Sequence, residues 1–346
     1  MNLKFFRKFY KKNKRDVNLA IIVTVIASIF FVLLIFNFIK KNYPELIYDN
    51  LPEIQVTIPR GVNAKQIAEI LRQAGIVHNA RSMSKCMVKS GLDKKIQYGT
   101  YKLQRASVKN VAHQLMTKQP VRIEFTIIPG TALCDLENMF ERKHNQKNAL
   151  YRAMAKKTNF PKKIRSLLPK EVKSRFVFLL PDTYYSNDVS DLADEVVRLA
   201  SIEWTKKVLP LLKEKHLTYR VHKLAILASI VEQEVLFDDE RPVIAGILHN
   251  RLARGKKLQC DSTVTYAWKI VGKQKGRLLY RDLNIDSPYN TYKVKGLPPM
   301  AICAPSLVSW QAAISPRKTD YLYFYSKPDG HTLFAKTYKE HLRNQR

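Results

Sequence analysis

From Leu19 to Phe36 the chain reads LAIIVTVIASIFFVLLIF, a run with no charge and only Thr24 and Ser28 as polar members. At about 1.5 Å per residue, Leu19 to Ile39 covers roughly the 30 Å hydrocarbon core of a bilayer, so 19–39 is predicted to be a transmembrane helix. A cleaved signal peptide usually has an apolar region of only about 7–15 residues ending at a small-residue cleavage site. This run is longer and exits through Asn37, Lys40 and Lys41. NYPELIYDNLPE then reads as a connector. In VTIPRGVNAKQIAEILRQAGIV, Val56 to Ile58 predict a strand and Pro59 with Gly61 a turn. Ile67, Ala68, Ile70, Leu71 and Ala74 follow helical spacing until Gly75 stops them. YGTYKLQRASVKNVAHQLMTKQP repeats the scheme, its helix using Val108, Val111, Ala112, Leu115 and Met116. Two such strand–helix units make 52–120 a small α+β module.

Residues 121–216 form an intermediate part of the chain. Its stretch 141–175 is rich in Lys and Arg and is expected to be a solvated surface. FVFLLPDTYY is β-prone but cut by Pro181, and SDLADEVVRLA predicts a helix with Ser190 as its cap. From 217 onward the patterns are unusual. LAILASIV, residues 224–231, has no polar stripe and therefore belongs to a core helix. FDDERPVIAGILHNRLARG predicts a second helix, capped by Asp238 or Asp239, with Pro242 in its first turn and Gly255 at its end. The two would form an αα-hairpin. LQCDSTVTYAW and IDSPYNTYKVKGLPPMAICAPS read as loops rich in hydroxyls, amides and aromatics, and DYLYFYSKPDGHTLFAKTYKEHLRNQ as strand, turn, strand and helix. The fold class is thus α+β behind a single membrane helix.

The core helix ends in Glu232, Gln233 and Glu234. At 3.6 residues per turn, positions two apart diverge by about 200°, so the two carboxylates cannot face one cavity. Glu232 lies over Ser229, Ala228 and Ala225, a small face that a ligand could approach; Glu234 lies over Val231, Ile230 and Leu227, as core packing leading to a surface pair would. This favours Glu232 as the working acid and leaves Glu234 as a secondary one. Two acids that merely close a helix and pair with nearby bases are the structural alternative. Tyr289, Asn290, Thr291 and Tyr292 form a polar–aromatic cluster of a kind that holds sugars, although turns favour the same residue types.

Sixty Lys and Arg against 29 Asp and Glu give a formal charge of +31, pointing to a polyanionic partner. Basic residues before the membrane run outnumber those after it, so residues 1–18 are expected to be a cytoplasmic tail and everything beyond Lys41 to be exported. That topology disfavours nucleic acid. Cys86, Cys134, Cys260 and Cys303 make no CxxC pair, so no metal site is expected; Cys86 with Cys134, or Cys260 with Cys303, could bridge, or all could be buried thiols.

In order and spacing, LASIVEQE, ERPVIAGILHNRL, LQCDSTVTYA, SPYNTYKVKGLPP and DYLYFYSKPDGHTLFAKTYKEH resemble the MltG/YceG-like family of endolytic murein transglycosylases, and FLLPDTY, VTIP and YGTYKL resemble its upstream and LysM-like portions. The resemblance implies an enzyme in the bacterial cell membrane, without a cofactor, that cuts between N-acetylmuramic acid and N-acetylglucosamine inside peptidoglycan strands and leaves 1,6-anhydro ends. It implies Glu232 as the single acid and base, with Gln259, Asp261, Tyr289, Asn290 and Tyr292 as substrate contacts in a catalytic region 217–346. It makes 52–120 LysM-like and admits peptidoglycan synthases or division and elongation proteins as partners. Phe176, Val177, Met300 and Ala304 depart from the family pattern, which bears on substrate contacts. A catalytically silent wall-binding anchor and a water-using muramidase are the rival functions.

Overall fold

The computed structural model describes residues 14–42, 52–187 and 191–345. The expected connector residues 43–51, the cap Ser190 and tail residues 1–13 lie outside these. Helix α1 (Lys14–Asn42) contains the apolar run. Residues 22–38 are all exposed, and Ser28 satisfies its hydroxyl within the helix by donating to the Thr24 carbonyl at 2.8 Å. The helix is long and apolar enough to cross a membrane.

The chain divides into two compact units at Val121 and Arg122. In the first, β1 (Ile54–Ile58) is followed by α2 (Ala64–Gln73), α3 (Ala80–Ser90), β2 (Gly99–Leu103) and α4 (Val108–Thr117). The strands pair antiparallel, Val56 opposite Tyr101. Asn63 and Gln66 form a capping box that starts α2. Ile67, Leu71, Val111 and Leu115 are buried against the strands, as their spacing predicts. Helix α3 is the departure, because the patterning predicts only two helices here. Its face toward the core is carried by Met83 and Met87, four apart and fully buried, with Ala80 and Cys86 partly buried beside them, on a helix capped by Asn79.

The second unit runs β3 (Ile123–Thr126), α5 (Leu133–His144), α6 (Ala149–Ala155), β4 (Thr183–Ser186), α7 (Leu192–Lys207), α8 (Leu209–Glu214), α9 (Val221–Glu234), α10 (Arg241–Ala253), α11 (Asp261–Ile270), α12 (Leu307–Ile314), β5 (Tyr323–Ser326), β6 (Thr332–Ala335) and α13 (Tyr338–Asn344). Strands β3 and β4 pair antiparallel, as do β5 and β6, the latter turning at Asp329 and Gly330, where φ is +89°. One core extends from Phe125 to Ile314. Helix α9 crosses its centre, buried on almost every side as an apolar helix requires. Trp204 and Trp310 meet edge to face at 5.6 Å beside it.

Three local expectations are corrected. In FVFLLPDTYY the first three residues end a short 3-10 turn (173–178) and only the last three enter β4, because Pro181 confines the strand to the second half. Helix α10 has Glu240 as its N-cap residue, with no side-chain cap bond; Asp238 accepts instead from Arg241 Nε at 2.8 Å. The segment read as a loop from Asp261 is helix α11, whose Thr263, Val264 and Ala267 are fully buried. All four cysteines are free thiols.

Candidate active site

The small face beneath Glu232 is closed at Ser229, the position nearest the acid. Ala225, Ala228 and Ser229 are buried, and the chain at 302–303 lies on Ser229, whose Oγ accepts from Ile302 N–H at 3.0 Å. Small residues here permit close approach of backbone. The Glu232 side chain is only 6% exposed, and its Oε2 accepts from Ser306 N–H at 2.8 Å, from the Ser306 hydroxyl at 2.6 Å and from Arg241 Nη1 at 3.2 Å. Ser306 is the N-cap of α12, so the carboxylate sits at the positive end of that helix. Arg241 also reaches Ser309 Oγ at 2.7 Å. Glu232 thus cross-links α9, α10 and α12, the structural alternative that its position at a helix end allowed.

Glu234, expected at the surface, is instead drawn under the first turn of α11. Its Oε1 accepts from Ser262 N–H at 3.2 Å and from the Ser262 hydroxyl. Burial pushes its carboxyl up to about 7, against the Ser262 hydrogen bonds and helped by the nearby Asp261 charge. Around it lies a cleft of about 440 Å³ whose walls include Arg251, Gln259, Asp261 and Tyr292. Three expected contact residues, Gln259, Asp261 and Tyr292, are therefore gathered around Glu234 and not around Glu232. The 200° separation is real, but it sends to the cleft the acid opposite to the one that the face argument favoured.

The cleft is held by backbone strain and buried polar contacts. Gln259 adopts a left-handed φ of +52°, and its N–H donates to the Thr291 carbonyl at 3.1 Å. The Thr291 hydroxyl in turn accepts from Cys260 N–H at 3.0 Å. The buried Arg251 guanidinium donates to Gln259 Oε1, to the Lys257 carbonyl at 2.9 Å and to the Leu322 carbonyl at 2.9 Å. With its oxygen occupied by Arg251, the Gln259 side chain has its NH₂ left for a ligand. The Tyr292 hydroxyl donates to Asp261 Oδ1 at 2.6 Å; burial, and after it this bond, push the phenol well above its usual range.

Tyr289 and Asn290 do not line the cleft. Tyr289 packs edge to face on Tyr266 at 4.9 Å. The Asn290 amide donates to the Leu283 and Ile285 carbonyls, both at 2.8 Å, while its oxygen accepts from Tyr292 N–H at 3.0 Å. The amide is fully used in shaping the loop that presents Tyr292. Phe176, Val177 and Ala304 are core residues, Met300 packs against that core, and Ala304 exchanges backbone hydrogen bonds with Gly130 and Thr131; none lines the cleft. Ser262, Arg251 and the rings of Tyr323, Tyr338 and His341 were missed. The alternation of Tyr321, Tyr323 and Tyr325 along a strand was the available signal for the rings. A larger cavity of about 640 Å³ adjoins the start of α9, with Arg220, Lys223 and His249 in its walls and no carboxylate, so acid chemistry belongs to the smaller one.

The model of the YceG-like family matches residues 56–346. An endolytic murein transglycosylase of Bacillus subtilis (strain 168) is 33% identical over 307 residues, which cover 85% of this chain and 84% of that protein. One from Streptococcus pneumoniae serotype 2 is 30% identical over 327 residues, covering 84% of this chain and 57% of the relative. The crystal structure of a YceG-like protein from Listeria monocytogenes aligns with a TM-score of 0.54 at 29% identity, covering 84% of this chain and 99% of the other. On the family match and these identities, the chain belongs to the YceG-like family.

Proposed function

We propose that this protein is an endolytic murein transglycosylase, anchored in the bacterial cell membrane by α1, that uses Glu234 as its single acid and base. One observation carries the choice of acid: the partly buried Glu234 carboxyl is pushed up to about 7 by desolvation and shares a cleft with Gln259, Asp261 and Tyr292. A general acid works best with a pKa near the operating pH, and burial is how a Glu reaches it. Protonated Glu234 donates to the glycosidic oxygen as the C1–O bond breaks. The resulting carboxylate accepts the proton of the muramyl C6 hydroxyl as O6 bonds to C1, which closes a 1,6-anhydro ring, restores the acid and consumes no water. Gln259 and Tyr292 supply polar contacts to the sugar. Glu232, tied to Arg241 and Ser306, acts as a cross-link between helices.

The compact module at 52–120 fits the LysM-like resemblance and suits a wall-binding role, and the charge of +31 suits an anionic wall and anionic lipid. A second function has one observation in its favour: Asp261 places another carboxylate in the cleft, as a water-using muramidase would need. Digestion of purified peptidoglycan followed by mass analysis separates the possibilities. Anhydro ends support the transglycosylase, reducing ends the muramidase, and intact strands a silent anchor. Glu234→Gln should abolish cleavage; cleavage at the wild-type rate in that variant would refute the assignment.

A further inference from the structure

The β5–β6 hairpin and α13 bring three rings to the cleft that the acid chemistry leaves unused. Tyr323 and His341 lie nearly parallel with centroids 5.4 Å apart and an interplanar angle of 25°. Tyr338 leans on both, at 5.8 Å from Tyr323 and 6.2 Å from His341. The Arg251 guanidinium sits 5.4 Å from the Tyr323 centroid, adding a cation–π contact to the same ring. All four residues line the cleft that contains Glu234.

These rings are not explained as core. No residue of α13 is buried, and Tyr338 is 59% exposed, although aromatic side chains usually supply the largest buried areas of a fold. The helix is nevertheless fixed in place: Thr337 and Glu340 form a capping box, so the outermost ring is presented from a defined helix start. Burial, and then the Arg251 charge, lower the His341 pKa, so its ring is a neutral imidazole at neutral pH. Its Nδ1 is buried and has no hydrogen-bond partner among the described residues. A preorganised, partly exposed aromatic surface beside amide and hydroxyl groups matches a pyranose, which has an apolar face of C–H groups and an edge of hydroxyls.

We propose that Tyr323, Tyr338 and His341 form a stacking subsite for one N-acetylated pyranose of the glycan strand. This rests on the cleft being the glycan site. The rings hold the strand in register while Glu234 acts at its scissile bond, so their contribution is to binding in ground and transition state alike. Loss of one ring therefore raises KM and leaves kcat nearly unchanged.

The test uses the full-length protein carrying Glu234→Gln, so that glycan is bound without being cut, with a soluble N-acetylglucosamine hexamer as probe and calorimetry as readout. Adding Tyr338→Ala should weaken binding about three- to tenfold, the usual scale of one aromatic stack. Tyr338→Phe should bind within about twofold of the parent, because the ring and not the hydroxyl does the work. Leu342→Ala, on the same helix but not lining the cleft, should match the parent. In the cleaving protein Tyr338→Ala should raise KM by the same factor. Equal affinity of the Tyr338→Ala and parent proteins would overturn the subsite, and so would a kcat loss at constant KM. A parent that binds no hexamer while wild type cleaves peptidoglycan would overturn it too, leaving the transglycosylase standing. Failure of wild type to cleave would sink the transglycosylase separately.

Discussion

Replacing Glu234 by Gln removes a titratable group while keeping its shape and an oxygen that can still accept from Ser262. In the folded protein the carboxyl titrates near 7 against an ordinary value of 4.5. Between these values the unfolded chain has already lost the proton that the native state keeps. The unfolded state therefore binds fewer protons, and native stability falls as pH rises. The contribution is fully present below about 4.5 and gone above about 7. At about 1.4 kcal/mol for each unit of pKa, the full effect is about 3 kcal/mol. Urea denaturation of both proteins from pH 4.5 to 8 isolates it, because every other titrating group is common to the two. The stability of wild type minus that of the variant should decline by about that amount across the range. Cleavage by wild type should fall about tenfold per pH unit above about 7, as the acid form is lost. Parallel stability curves would mean that the Glu234 carboxyl is not desolvated, and the assignment of the acid would fail with them.

Further outcomes follow from the same geometry. Glu232→Ala should destabilise the protein by about 3 kcal/mol, since it leaves Arg241 short of a buried partner, yet the folded fraction should still cleave; a folded but inactive variant would return Glu232 to the chemistry. Ser229→Val should cost about 1–3 kcal/mol in denaturation by orphaning the Ile302 N–H, whereas a tolerant site would contradict the close packing of 302–303 on Ser229. In Gly246→Ala the new methyl would lie 2.3 Å from the Arg317 carbonyl oxygen, so α10 must shift, and a loss of about 1–3 kcal/mol is expected despite the better helix propensity of Ala. Tyr292→Phe removes the hydroxyl that Asp261 holds and should lower kcat/KM about tenfold, read on purified glycan strands; unchanged kinetics would confine Tyr292 to the loop frame.

Much of the fold was legible because local periodicity reports burial. The apolar runs of α1 and α9, the amphipathic stripes of α2 and α4, and the final strand–turn–strand–helix all stand in the pattern of residues. Helix α3 escaped because two methionines carry its core face. Helix α11 escaped because hydroxyl-rich residues also suit loops; Thr263 becomes compatible with a buried face only by bonding the Cys260 carbonyl at 2.7 Å and the Thr291 hydroxyl at 2.8 Å.

By itself the sequence determined that a core helix ends in two acids, that they diverge, and that Gln259, Asp261 and Tyr292 are candidates to meet one of them. It could not determine which acid that is. Helical geometry fixes the angle between two side chains, but what lies opposite each one comes from other helices, from Arg241 on the next one to Ser306, 74 positions further along the chain. Tertiary packing put Ser306 and Arg241 against Glu232 and the start of α11 against Glu234, so one carboxylate became a helix cross-link and the other a desolvated acid. A small residue is equally what a ligand or a second backbone requires, and only the folded chain shows that the 302–303 backbone lies on Ser229.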